Sequence, residues 1–377
     1  MRRGDTANRG RREQEPDLTA SPRHRVAASD INWSRVSRVL VVKLRSIGDT
    51  VLATPSLIAL RRFLPDAQID ILLEDWVAPV LDGFDAVNNV ISVGNSSGDR
   101  LKIAWKLRRR KYDVAINLHG GTTATFFVRA SGARHRVGYA DYQYSFLYNH
   151  LLSSASDFWH QEKTHSAEQQ LALFGFVGIP VEDRPKSRLT VTDTAMERVR
   201  TTCVSGWADD TNFALLHPTT AFATKQWPTE NFARTAEYLA EKGIKSVAVA
   251  SQSESRILDE LKHHSNVPIR TFDDLTLPEI TALASKAQLF VGNDSGIAHI
   301  AAAVQTPSVV IFGSSNRAHW RPWTDAPNEI VYEEFPCQPC PGYVCAEFGE
   351  PRCILSVKPE AVLTAIDRVL SDQNREW

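Results

Sequence analysis

No run of about 18 consecutive apolar residues occurs in the chain, so nothing in it reads as a membrane-spanning helix. Its first thirty residues hold no apolar core of the secretory kind, which argues against Sec-type export. Cysteine is scarce, with five among 377 residues. That is too few for a disulfide scaffold, and a reducing cytoplasm is the default compartment. Neither sign of charge dominates. Forty-three basic against 44 acidic side chains leave a formal charge of −1, which excludes a generic polyanion-coating protein and gives no reason to expect a nucleic-acid partner. No internal repeat suggests a solenoid. What is present, 43% hydrophobic and 23% charged residues, describes a globular chain long enough for two domains.

Residues 1–37 stand apart, with eight arginines, no lysine and five acids. They lack any hydrophobic period and are expected to be a disordered basic leader. From Val39 the texture changes. Val39–Val42, Ile69–Leu73, Val90–Val93 and Val114–Leu118 read as strands, with helical patterns around Leu57–Leu64 and Leu101–Arg109. A polar, aromatic-rich stretch (134–159) and a helix near 165–176 complete an N-terminal domain over 38–183. Residues 184–195 read as a linker. Alternation restarts with strands at Phe213–Leu216, Ser246–Ala250, Leu289–Val291 and Val309–Phe312, in a second domain over 196–356. A last helix lies in 357–377 and is expected to pack back toward the hinge. Two blocks of alternating β and α predict an α/β protein of two doubly wound, Rossmann-like domains facing across a cleft.

In such sheets ligands sit beyond the carboxyl ends of strands, and three polar clusters fall there. Gly48-Asp49 follows the first strand; alone, this aspartate is equally a helix N-cap. His217-Pro-Thr-Thr220 with Thr224-Lys225-Gln-Trp-Pro228 gathers hydroxyls and a lysine suited to a diphosphate, although a polar turn over a buried Trp227 would look similar. Gly292-Asn-Asp-Ser-Gly-Ile-Ala-His299 runs from a strand into an alanine-rich helix, where free amides suit an anion. Asp294 there is otherwise a cap and His299 a core histidine.

The segments carrying these clusters are IGDTVLATPSLIALRRFLPDAQIDIL, HPTTAFATKQWPTENFA and FVGNDSGIAHIAAAVQTPSVVIFG. They resemble the signature segments of glycosyltransferase family 9, the ADP-heptose:lipopolysaccharide heptosyltransferases. The similarity runs from about Val39 to Leu370, with NLHGG, SGARHRVGY and FGSSNRAHWRPW in the family's order. It implies a GT-B fold, with the acceptor on the N-terminal domain and the nucleotide sugar on the C-terminal one. It further implies inverting transfer of heptose from ADP-heptose to the lipopolysaccharide inner core, either Kdo–lipid A or its heptosylated form. The expected place is the cytoplasmic face of the inner membrane, with peripheral membrane contact. Asp49 matches the general base and Lys225 the lysine that neutralises the leaving diphosphate. Thr219, Thr220, Asp294, Ser295, Gly296 and His299 match donor-binding positions. The chain has no Asp-x-Asp, so a catalytic metal is not expected. Arg61, Arg62 and Arg136 are the candidates for acceptor phosphates and carboxylates. Other donors or a protein acceptor within the same family, a nucleotide-sugar epimerase and a non-catalytic binding module are the alternatives.

Four of the five cysteines, Cys337, Cys340, Cys345 and Cys353, fall in one proline-containing loop over 337–353. Their spacing is compatible with a structural zinc or iron site, and equally with reduced thiols.

Overall fold

The computed structural model describes residues 30–206, 212–340 and 343–373. Strands β1 (Arg38–Val42), β2 (Gln68–Glu74), β3 (Asn89–Val93), β4 (Val114–Asn117), β5 (His135–Tyr139) and β6 (His150–Leu152) form the first sheet. They alternate with helices α1 (Ile47–Val51), α2 (Thr54–Phe63), α3 (Ser97–Arg110), α4 (Gly121–Ser131), α5 (Ala155–Trp159) and α6 (Ser166–Phe176). The second sheet contains β7 (Phe213–His217), β8 (Lys245–Val249), β9 (Ile269–Phe272), β10 (Leu289–Asn293), β11 (Ser308–Phe312) and β12 (Asn328–Tyr332). Its helices are α7 (Asp193–Arg198), α8 (Thr229–Glu241), α9 (Ser255–His264), α10 (Leu277–Lys286), α11 (Gly296–Ala303), α12 (Arg317–Trp320), α13 (Arg352–Leu355) and α14 (Pro359–Gln373).

All strand pairs are parallel, and the two sheets share one topology. Their orders are β3-β2-β1-β4-β5-β6 and β9-β8-β7-β10-β11-β12. The central strands are buried on both faces, which is why they read as short continuous apolar runs. Strand order reverses between β1 and β4 and again between β7 and β10, placing a crevice at each of those switch points.

The two sheets meet where α1 packs on α11. Two glycines permit the approach. A Cβ on Gly48 would stand 2.7 Å from the His299 ring, and one on Gly296 would stand 2.9 Å from the Ile47 Cβ and 3.2 Å from the Gly48 nitrogen. One apolar core continues through this contact, joining Val51 and Leu57 to Ile297 and Ile300. On the far side the chain crosses between domains under backbone restraint. The Ser187 amide donates to the Trp323 carbonyl (3.1 Å) and the Leu189 amide to that of Ala303 (3.3 Å). His165 stacks on Trp323 and bonds the Arg321 carbonyl at 2.8 Å. Burial pushes this imidazole down to about 3, so it is neutral, accepting from the Ala167 amide at Nδ1 and donating from Nε2.

Three expectations are corrected. The folded chain begins before residue 38: Ile31 is buried, and the Trp33 indole donates to the Val177 carbonyl at 2.8 Å. Residues 1–29 of the expected leader lie outside the described residues. The last helix packs against β11, β12 and α8 rather than toward the hinge. Its apolar face of Val362, Ala365, Ile366 and Val369 completes the core of the second domain. Finally, β5, β6, β9 and β12 fall where no strand is expected from the sequence. Three of them are sheet edges, paired on one side and carrying polar or half-exposed residues, so they lack the apolar run that marks a central strand.

Replacing Gly296 with alanine should force α1 and α11 apart and lower unfolding free energy by about 1–3 kcal/mol, the usual cost of overpacking. Equilibrium denaturation measures this; an unchanged midpoint would mean that the helices do not touch as described.

Candidate active site

Lys43 continues β1 beyond its last apolar residue, and its side chain is 7% exposed. A buried ammonium needs partners. It donates to Asp49 Oδ1 at 3.0 Å and to the Leu118 carbonyl at 3.2 Å. Ser46 donates its hydroxyl to the other Asp49 oxygen at 2.9 Å. Burial alone would raise the Asp49 carboxyl, but the Lys43 charge and these hydrogen bonds outweigh it and hold the group below its ordinary range. Asp49 is therefore an oriented, ionised carboxylate.

Across the interface, β7 and β10 end side by side. His217, pushed by burial down to about 4, is neutral and lies between the Ser295 hydroxyl (3.1 Å) and the Thr219 hydroxyl (3.2 Å). Asn293 accepts from the Trp227 amide at 3.1 Å and donates to the Pro218 carbonyl at 3.0 Å, while the buried Trp227 indole donates to the Val357 carbonyl. These bonds fix the loop that carries Lys225, whose ammonium donates to Asp294 Oδ2 at 2.8 Å. Ser315 donates to the same oxygen. An ammonium has three protons, so Lys225 keeps two for a ligand beside the α11 amides. Burial lowers the His299 imidazole, against the pull of Asp294 and Asp49. Its Nδ1 is buried without a hydrogen-bond partner.

Two cavities flank this junction. One, of about 480 Å³, has Gly48, Thr220, Lys225, Asp294, Ser295, Gly296 and His299 on its wall; the other, of about 380 Å³, has Lys43, His119, Tyr139, Tyr142, Gln170 and His319. Asp49 and Trp320 line both. Seven of the eight residues singled out from the sequence for catalysis and donor binding thus line one cavity. Thr219 is buried against His217 behind the loop and lines neither cavity.

The three arginines proposed for an acceptor are not brought there. Arg61 is spent on the carbonyls of Leu64, Pro65, Ala67 and Ala86 and on Asn88. Arg62 pairs with Asp183 at 2.7 Å on the surface, and Arg136 bonds the carbonyls of Ala133 and Leu147. Guanidinium forks suit backbone carbonyls as well as anions, so basic residues on a helix or strand end do not by themselves mark a site. Lys43, Ser46, Gln170, Ser315 and Trp320 were missed. Lys43 left a signal, a lysine directly extending a buried strand, and Ser315 and Trp320 lie within the segment FGSSNRAHWRPW.

Cys337, Cys340, Cys345 and Cys353 line one small cavity together with Thr224 and Ser314, behind the Lys225 loop and outside the cleft. They form no disulfide. Four soft thiols are the right donors for zinc or iron. Among the described residues, however, no three of these sulfurs lie within 4.8 Å of one another; the one group that does meet this spacing is Asp30, His135 and His150.

Replacing Lys43 with methionine should remove the charge that holds the Asp49 carboxyl down. Burial then raises it, so protonation begins at higher pH as the pH falls. The acid limb of the kcat/KM profile should accordingly move upward in the variant; an unmoved limb with normal kcat would detach Lys43 from Asp49.

Known proteins resemble the chain in sequence and in fold. The family model for glycosyltransferase family 9 (heptosyltransferase) matches residues 100–349. The chain is 28% identical over 353 residues to lipopolysaccharide heptosyltransferase 3 of Escherichia coli, covering 87% of this chain and 97% of that protein. Among solved structures, a family 9 glycosyltransferase from Veillonella parvula superposes with a TM-score of 0.76 at 17% identity, covering 89% of this chain and 97% of that one. Escherichia coli ADP-heptose lipopolysaccharide heptosyltransferase II does so at 0.75 and 21% identity, covering 89% and 99%. These neighbours share the two-domain GT-B fold. With two thirds of its length matched by the family model, the chain belongs to glycosyltransferase family 9.

Proposed function

We propose that the protein transfers heptose from ADP-heptose to the inner core of lipopolysaccharide, on Kdo–lipid A or its heptosylated form, by a single inverting displacement. One observation carries the reading: Asp49 lines both cavities, whereas Lys225 and the start of α11 line only one. The donor's diphosphate then lies against Lys225, Ser295, Gly296 and His299, with Thr220 and Asp294 at its edge. The acceptor occupies the cavity beyond Asp49. The carboxylate takes the acceptor hydroxyl proton as the sugar–phosphate bond breaks. Lys225 and the α11 amides receive the developing negative charge, the role that a divalent cation fills elsewhere. Because Asp49 is a weak base, proton transfer comes late, once bond breaking has made the hydroxyl more acidic. Among the described residues no helix is long and apolar enough to cross a membrane. In this reading a lipid-linked acceptor is met through peripheral contact at the cytoplasmic face of the inner membrane.

The cysteine loop has a supporting part in this proposal. The Cys340 amide donates to the Ser314 carbonyl at 3.0 Å, and Ser314 bonds Thr224 through both backbone and side chain. A zinc or iron ion drawing the four thiols into one shell would stiffen the loop that carries Lys225 without touching the reaction.

Asp49→Ala should lower kcat by about two to four orders of magnitude while still binding ADP-heptose. Lys225→Ala should lose about 2–4 kcal/mol of transition-state stabilisation, and EDTA should leave turnover intact. Near-normal kcat in a folded Asp49→Ala protein, or a strict need for added Mg²⁺, would contradict the reading. For the loop, elemental analysis of anaerobically purified protein should give about one metal per chain. Replacing Cys340 and Cys345 with serine should remove it and lower the melting temperature; metal-free protein with an unchanged melting temperature in that variant would refute the metal.

A further inference from the structure

Helix α3 buries Ala104 and Leu107 against α4 and the sheet. Its outward face is not what a solvated helix needs. Leu101 and Trp105, one turn apart, are 66% and 62% exposed. Arg100, Lys102, Lys106, Arg108 and Arg109 surround them, and the Arg109 guanidinium lies 4.4 Å over the Trp105 ring. The single acid of the helix, Asp99, is engaged with Ser96 at its N-terminus. The apolar exposure continues on neighbouring elements. Phe126 of α4 is exposed, as are Tyr144 and Phe146, which meet edge to face in the segment after β5. Tyr148 of that segment is bonded to Thr125 of α4 at 2.8 Å, so the segment lies beside α4. Tyr142 of the same segment lines the cavity assigned to the acceptor.

We propose that this face, made of α3, Phe126 and the 144–146 segment, docks the protein on an anionic lipid bilayer. The occupant follows from the chemistry. A helix that carries exposed Trp and Leu among Lys and Arg fits the headgroup boundary, with rings in the interface and cations on phosphates. The whole chain carries a formal charge of −1, so attraction to anionic lipid is local to this face and orients the molecule rather than coating it. Docking there sets the Tyr142 side of the acceptor cavity beside the bilayer. That consequence, unlike the docking itself, rests on the lipid-linked acceptor proposed above.

The test is co-sedimentation of the full chain with vesicles of phosphatidylcholine alone or mixed with phosphatidylglycerol. The wild-type protein should bind the mixed vesicles, release with rising salt, and bind phosphatidylcholine weakly. Leu101→Ser combined with Trp105→Ser, and separately Lys102→Glu combined with Lys106→Glu and Arg109→Glu, should each weaken binding about tenfold or more at an unchanged melting temperature. All five positions are on the outer face, and the second variant keeps the test open if the first folds poorly. Turnover of a detergent-dispersed acceptor should be unaffected, whereas turnover of a vesicle-embedded one should fall. Equal binding by the charge-reversed variant and the wild type would overturn the proposal. So would light scattering that shows a wild-type dimer becoming a monomer in the serine variant, since the face would then join two copies. Vesicle binding needs no turnover, so a chain inactive with ADP-heptose that still binds in this pattern would refute the proposed reaction and leave the docking surface standing.

Discussion

Two helix N-termini approach each other through Gly48 and Gly296 with no room for a Cβ on either side. The remaining features of the site follow from that approach. It carries Asp49 from the first domain to within reach of the cavity formed by Lys225, Asp294 and Ser295 on the second. It also closes one apolar core across the domain boundary and lets the His299 ring seat directly against the α1 backbone. Larger residues here would separate Asp49 from Lys225 and Asp294 by the width of a side chain, a displacement large enough to disable the proposed catalytic constellation.

Electrostatically the two halves of the site are built alike. Each pairs one lysine with one aspartate at hydrogen-bond distance, Lys43 with Asp49 and Lys225 with Asp294. Partial burial makes both pairs costly to break, but they serve opposite ends. In the first, the lysine steadies a carboxylate that faces two cavities. In the second, the aspartate steadies an ammonium that, in the proposed reaction, turns its remaining protons to the phosphate oxygens. Neutral His217 and His299 lie close to the second pair, and burial keeps additional positive charge off both.

Much of this was legible in the chain because central parallel strands are short apolar runs and the residues just past them are the ones that face ligands. Asp49, Thr220, Lys225, Asp294, Ser295, Gly296 and His299 all stand at such positions. The identical strand order of the two sheets could not be read, since β5, β6, β9 and β12 carry too few apolar residues to announce themselves. Arg61 and Arg136 misled because a guanidinium that ties down carbonyls looks, in sequence, like one that waits for an anion. Cys337 to Cys353 gave their convergence on one cavity through spacing, but not its location behind the Lys225 loop, which depends on the Ser314–Thr224 contact some 90 residues apart in sequence.

In the proposed reaction a single displacement sets Asp49 on the acceptor side of the sugar and Lys225 with α11 on the leaving-group side. Stereochemistry tests it most directly. Nuclear magnetic resonance of the product formed from ADP-heptose and a heptose-deficient lipopolysaccharide acceptor should show the transferred sugar with its anomeric configuration inverted relative to the donor. Retention of configuration would require a second displacement through a covalent or internally returned intermediate, and would contradict the role assigned to Asp49.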